Sequence, residues 1–269
     1  MFEELALYLG FGCLAGILSG LLGIGGGIVI VPFLVWYFSL RGFPAEAIMI
    51  MAVATSLATI VVTSISAASA HHRRGAVDWL AVKKLVPGIV IGAVFGSVVA
   101  DLLPARWFKL IFACFLLYAA LRMLLKPPRE RRHEEAPDYR RFGGAGAAIG
   151  ALSSILGIGG GTLSVPFLAR RGYPIREAVA ISSACGFPIA VAGTATYIAL
   201  GWHNATLPAW SFGYIYLPAL AGIILTSVPF APFGAHLAHR WPTARLRLFL
   251  ALVIALAGGK LLWQALPPA

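Results

Sequence analysis

The sequence predicts an all-α polytopic membrane protein that is built from two homologous repeats. Three observations support this: apolar residues make up 59% of the 269 residues, charged residues make up only 12%, and a glycine-rich motif occurs twice. A soluble domain typically carries about 25% charged residues, so this chain has about half of the charge that solvates an ordinary surface. We therefore expect its function to reside within helices that cross the membrane.

Apolar runs define eight segments, since a helix needs about 20 residues to span a bilayer. They lie at about 5–40, 45–70, 80–100, 105–125, 142–170, 175–200, 212–236 and 243–265. Between the fourth and fifth segments, residues 126–141 read KPPRERRHEEAPDYRR, and their paired prolines and dense charge indicate a solvated cytoplasmic linker. We expect a first membrane repeat at 1–125 and a second at 142–269.

The two halves share a sequence motif. Residues 16–34 read GILSGLLGIGGGIVIVPFL and residues 150–168 read GALSSILGIGGGTLSVPFL, with 13 identities over 19 ungapped positions. The likeness continues from RGFP at 41–44 to RGYP at 171–174. Each half is therefore predicted to carry the same four-segment unit.

The first segment of each half is too long for one straight helix. Residues 5–40 would extend for about 54 Å as a helix, against a hydrocarbon core of about 30 Å. Glycine costs a helix about 1 kcal/mol relative to alanine, so four glycines within five positions should break it. The predicted breaks are at Gly23, Gly25, Gly26 and Gly27, and at Gly157, Gly159, Gly160 and Gly161.

Paired breaks at matching positions are typical of transporter binding sites. Irregular backbone at membrane depth is tolerated only where it lines a cavity or is buried in protein. The helices that follow the breaks start near Ile28 and Thr162, and their free amides would favour an anion. Close helix packing is the alternative reading of such glycines.

Hydroxyl side chains are concentrated in the second segment of each half. Thr55, Ser56, Ser182 and Ser183 occupy roughly corresponding positions, where they can donate hydrogen bonds to the oxygens of an anion. The alternative is that they hydrogen-bond to a neighbouring helix. We keep both interpretations open at this point.

The motifs resemble those of the TauE/SafE sulfite exporter family, also called toluene-sulfonate uptake permeases. The resemblance rests on the doubled GIGGG-x-x-x-VPFL, on RG[FY]P, and on GAVFGSVVA at 92–100 with APFGAHLA at 231–238. It implies a multi-pass permease of the bacterial inner membrane. The substrate that it implies is sulfite, a sulfonate or a related organosulfur anion.

The distribution of Lys and Arg distinguishes two topologies. If all eight segments cross, the 21 basic residues divide 12 to 9 between the faces. If each glycine-broken segment is a re-entrant hairpin, 17 lie on one face, in better agreement with the positive-inside rule. Three crossings per half would then make the second repeat inverted relative to the first. Because loop positions account for the +11 net charge, we expect no nucleic acid partner.

The leading functional prediction is a secondary permease that holds a small organosulfur anion between the two glycine-broken helices and works by alternating access. The alternative is an anion channel that uses the same glycine-rich constriction. No motif of an enzyme is present, and Cys13, Cys114 and Cys185 lack metal-site spacing, so we expect no catalytic residue, metal or cofactor. The oligomeric state is left open.

Overall fold

The structure is a computed structural model that describes residues 2–22, 26–124, 139–238 and 243–265. Within these ranges it contains ten α-helices and one two-stranded β-hairpin. The helices are α1 (Phe2–Leu22), α2 (Gly27–Leu40), α3 (Ile48–Arg73), α4 (Trp79–Leu102), α5 (Ala105–Leu124), α6 (Tyr139–Leu156), α7 (Gly161–Arg170), α8 (Ile175–Gly201), α9 (Leu217–Ala238) and α10 (Thr243–Ala265). Between α8 and α9, β1 (Ser211–Phe212) pairs with β2 (Ile215–Tyr216) in antiparallel register.

The prediction of an all-α membrane protein is confirmed. In the described part of the chain, α3, α4, α5 and α8 are each long and apolar enough to cross a membrane, judged by length and composition. Five predicted segments coincide with single helices, and the segments at 5–40 and 142–170 each hold two helices. The segment at 212–236 begins in the β-hairpin and becomes helical only from Leu217. Residues 126–138 of the predicted linker lie outside the described residues, as do Gly23 and Gly25 of the first predicted break.

Local sequence signals explain several helix ends. Asp78 begins α4, because its Oδ1 atom accepts hydrogen bonds from the amides of Leu80 and Ala81 at 2.8 and 3.2 Å. Helices α2 and α7 each end next to a glycine with positive φ, Gly42 at 68° and Gly172 at 88°, a backbone conformation that side chains disfavour.

Helix α3 is central and α5 is peripheral. Within the most apolar 18-residue stretch of each, 78% of α3 is buried against 33% of α5. Large apolar side chains such as Ile91, Phe95, Leu225 and Leu256 are exposed on the outer surface. An exposed apolar belt of this kind is what a bilayer covers.

Helices α1 and α9 pack in parallel. A side chain at Gly12 would collide with Ile223 and Thr226, and one at Gly16 would collide with the backbone of Ser227. Later positions in α1 contact later positions in α9, so the two helices run in the same direction.

Helices α4 and α6 form the matching parallel pair. Side chains at Gly88 and Gly96 of α4 would collide with the backbone of Gly143 and Ala151 of α6. Small residues allow this close approach, as in many membrane helix pairs. The start of α4 therefore lies beside the start of α6.

The two remaining pairs are antiparallel. In α3 and α8, Ser64 lies opposite Gly186 and Leu57 opposite Gly193. The first turn of α5 likewise meets the last turn of α10, where Arg106 Nε donates to the carbonyl of Ala265 at 2.9 Å.

Candidate functional site

The glycine-rich sequences lie where α2 and α7 begin. In the second half, Gly157–Gly160 is non-helical backbone between α6 and α7, and Gly157 has a φ of 64°. In the first half, Gly26 immediately precedes α2. Positive φ is a conformation in which a side chain is strained, so Gly157 is required at this position.

The two glycine-rich sequences contact each other. A side chain at Gly27 would collide with the carbonyl oxygen of Gly157 and the Cα atom of Ile158, and it would touch Ile60 of α3. On the other side, Gly160 lies against Ile189 of α8. Both isoleucines lie near the middle of their helices, so the glycines meet about halfway along the α3–α8 pair.

Helices α2 and α7 start without a side-chain cap, because each N-cap residue is a glycine. The Gly26 carbonyl accepts from the amides of Val29 and Ile30, both at 3.0 Å. The amides that come earlier in a helix have no intrahelical acceptor. In these two helices they belong to Gly27, Ile28, Gly161 and Thr162.

The predicted hydroxyls of α3 hydrogen-bond within the protein. Ser56 Oγ donates to the carbonyl oxygen of Gly157 at 2.7 Å, and Thr55 Oγ1 accepts from the amide of Tyr216 in β2 at 3.0 Å. Both side chains are fully buried. Ser56 therefore holds the carbonyl oxygen of Gly157, an acceptor that would repel an anion.

The predicted hydroxyls of α8 differ from each other. Ser183 Oγ donates to the Val179 carbonyl of its own helix at 2.9 Å. Ser182 is buried, and its Oγ atom has no hydrogen-bond partner among the described residues. Of the four predicted hydroxyls, three therefore make a hydrogen bond within the protein, and that of Ser182 makes none among the described residues.

Sequence reasoning did not single out Ser164, in the first turn of α7. It is 0% exposed, its Oγ atom lies beside Gly160, and it has no hydrogen-bond partner in the part of the chain that the structure describes. The Oγ1 atom of Thr162 is also buried without a partner. The repeat alignment carries a signal for both residues, because the first half has Ile28 and Ile30 at the matching positions.

Charge plays little part at this site. Among the buried polar and charged side chains of the described residues, Lys84 is the only one with a formal charge, and it lies in the second turn of α4. The groups available where the glycines meet are backbone amides, hydroxyls and two helix N-termini, which can donate to an anion, together with the Gly157 carbonyl oxygen, which Ser56 engages.

The apolar surface and the bundle of long apolar helices define an integral membrane protein. The chain belongs to the sulfite exporter TauE/SafE family, whose profile matches residues 8–261. It is a multi-pass protein of the bacterial inner membrane, and it is a transporter and not an enzyme.

Three relatives match nearly the full chain, and each is described as a probable membrane transporter protein. The one from Haemophilus influenzae is 38% identical over 254 residues, which cover 94% of this chain and 96% of the relative. The one from Methanocaldococcus jannaschii is 26% identical over 92% of this chain and 91% of its own. A third, from Bacillus subtilis, is 27% identical over 95% of this chain and 96% of its own. No solved structure matches the chain significantly.

Proposed function

We propose that this protein is a secondary permease that carries sulfite, a sulfonate or a related organosulfur anion by alternating access. The anion would be held at the glycine-headed starts of α2 and α7. The observation that supports this most directly is that two uncapped helix starts meet halfway along the central α3–α8 pair. The family to which the chain belongs supports the choice of substrate class.

The helix directions support an inverted repeat. If 1–125 and 142–269 are two copies of one unit joined by the linker, α3 corresponds to α8 and α5 to α10. Both pairs are antiparallel, so the axis that relates the copies runs perpendicular to the helices, within the plane of the membrane. An axis along the membrane normal would instead make corresponding helices parallel.

In the second half, the arrangement supports a re-entrant hairpin made of α6 and α7. The starts of α6 and α4 lie together, and Tyr173, just before α8, donates to Asp78, just before α4. Helices α6 and α8 therefore begin at the same end of the protein. Because α7 connects α6 to α8, it must lead the chain back to the end at which α6 begins.

The first half supports the same path at the opposite end. Tyr8 of α1 and Phe43, just before α3, both contact Tyr216, just before α9, with ring centroids 6.4 and 5.1 Å apart. Helices α1 and α3 therefore begin at the same end, and α2 returns the chain to it. With both hairpins re-entrant, 17 of the 21 basic residues lie on one face, which the positive-inside rule assigns to the cytoplasm. In this topology the positive-inside rule would assign the linker at 126–141 to the cytoplasm as well.

The binding chemistry would require no fixed positive charge. A helix N-terminus and each hydrogen bond to an anion contribute on the order of 1 kcal/mol, so a few of them give moderate affinity. Moderate affinity suits a carrier, which must release its substrate on the other side of the membrane.

Flux measurements in proteoliposomes test the proposal. Labelled sulfite, sulfoacetate, taurine and sulfate are offered to the purified protein, with and without an imposed proton gradient. We expect saturable uptake of at least one organosulfur anion at the rate of a carrier. Ion currents that do not saturate would identify a channel instead, and the absence of flux for all the anions would reject the proposed substrate class.

A glycine substitution tests whether the helix starts take part. Gly27→Leu places a side chain against Gly157 and Ile158, and it should abolish flux while the protein still inserts into the membrane. The matched control is Gly259→Leu, because Gly259 on α10 has open space around it. Wild-type flux in the Gly27→Leu variant would remove the glycine contact from the mechanism.

A further inference from the structure

The two helix starts that match in sequence differ in chemistry. Over their first four positions, α2 reads GIVI and α7 reads GTLS, so Thr162 and Ser164 replace Ile28 and Ile30. Ile30 covers Gly26 with its Cδ1 atom, and Ser164 places its Oγ atom beside the equivalent Gly160. Side chains of a helix tilt toward its N-terminus, which brings residue N4 over the helix start.

Eight buried hydroxyls have no hydrogen-bond partner among the described residues, and two of them, those of Thr162 and Ser164, lie in the first turn of α7. Half-buried or exposed hydroxyls on other helices donate to the carbonyl four residues earlier: Ser39 to Val35 at 2.7 Å and Thr196 to Ala192 at 2.8 Å. Ser164 makes no such bond, although the carbonyl four residues earlier, that of Gly160, accepts its amide at 2.7 Å. A fully buried hydroxyl with no partner is costly, because burial removes the hydrogen bonds that water provides.

We propose that the second half supplies the oxyanion subsite of this transporter, with Ser164 as the residue that confers its specificity. This rests on the proposed function. The amides of Gly161 and Thr162 and the hydroxyl of Ser164 donate to the oxygens of a single sulfonate or sulfite group, and the hydroxyl of Thr162 adds a further donor. The start of α2 offers amides that lie under isoleucine side chains.

The subsite selects its ligand by hydrogen-bond geometry. Two successive amides and a hydroxyl at one helix start can bind the separate oxygens of a sulfonate or sulfite group. Because the first turn of α7 carries two hydroxyls and the first turn of α2 carries isoleucines in their place, the two helix starts do not bind equivalent groups. The donors at the start of α7 therefore require only one sulfonate or sulfite group on the anion, and a second such group is not needed for binding.

The test measures the KM for the anion that the wild-type protein transports in proteoliposomes. Ser164→Ala removes one hydrogen bond to a charged group, and we expect KM to rise about 10-fold or more. Ser39→Ala is the matched control, because its hydroxyl bonds within α2 away from the glycines, and its KM should stay within about twofold of wild type.

A second pair of variants keeps the inference testable if Ser164→Ala folds poorly. Thr162→Val preserves shape and removes the hydroxyl, so KM should rise, whereas Thr162→Ser retains the hydroxyl and should preserve KM. Saturable wild-type flux with an unchanged KM in Ser164→Ala and Thr162→Val would overturn this inference and leave the proposed function intact. No flux and no thermal stabilisation of the wild-type protein by any of the anions would overturn both.

Discussion

The loops that follow α2 and α7 share a backbone and differ in what they contact. Residues 41–44 read RGFP and residues 171–174 read RGYP. In each loop a glycine has positive φ, and the aromatic residue after it donates its amide to a carbonyl five residues earlier, Phe43 to Phe38 and Tyr173 to Leu168, both at 3.1 Å. The repeated sequence thus produces a repeated helix end.

Aromatic packing surrounds the first loop. The ring of Phe43 stacks on Phe38 with centroids 4.9 Å apart, and it meets the edge of Tyr216 at 5.1 Å. Tyr216 belongs to β2, for which the first half has no counterpart between α3 and α4. The β-hairpin between α8 and α9 therefore supplies one of the aromatic side chains that pack around this loop.

A polar contact joins the second loop to α4. The hydroxyl of Tyr173 donates to Asp78 Oδ2 at 3.3 Å. Burial, the charge of Asp78 and the hydrogen bond to it raise the pKa of Tyr173 to about 12. The repeated motif therefore determines the backbone of each loop, whereas the neighbouring element determines whether apolar or polar contacts hold it.

The largest expected effect is that of Phe43→Ala, which removes the stacked ring. Truncating a buried Phe costs about 3–5 kcal/mol, and because Phe43 is half-buried we expect about 2–3 kcal/mol of lost stability. The free energy of unfolding is measured in mixed detergent micelles. Phe95→Ala is the control, because Phe95 is 63% exposed on the outer face of α4 and its loss should change stability little. Equal losses in the two variants would contradict the role given to the aromatic cluster.

Tyr173→Phe tests the polar loop, and its effect should be smaller. It keeps the ring and removes the hydrogen bond to Asp78, so we expect a loss of about 1 kcal/mol. Tyr118→Phe, at a half-exposed residue of α5, serves as the matched control. If Tyr173→Phe is as stable as the wild type, the contact with Asp78 does not hold this loop.

The loss of stability at high pH should differ between the wild type and Tyr173→Phe. An unfolded chain loses the proton of a tyrosine near about pH 10, whereas folded Tyr173 keeps its proton until about 12. The stability that this group contributes is therefore complete below about pH 10 and is lost as the pH rises toward 12. Unfolding experiments across this interval should show a steeper decline for wild type than for Tyr173→Phe, and parallel declines would argue against the raised pKa.

Part of the candidate site was predictable from the sequence. The doubled glycine motif indicated where α2 and α7 start, and the structure begins them at Gly27 and Gly161. The role of Ser56 was not predictable, because its bond to the Gly157 carbonyl joins residues 101 positions apart in the chain. Ser164 was overlooked because an isolated serine in an apolar helix resembles a packing residue until its partners are known.

The sequence by itself determined the class of the protein and the boundaries of most helices, because hydropathy and glycine content act locally, and its repeated motif predicts two related halves. Only the tertiary structure decided which helices pair, in which direction they run, and that the two glycine-rich sequences touch. Those features depend on contacts between residues far apart in the chain. Ile30 and Ser164 illustrate this division. The sequence shows that they differ at matching positions, but only the fold shows that the Ser164 hydroxyl is buried with no hydrogen-bond partner among the described residues.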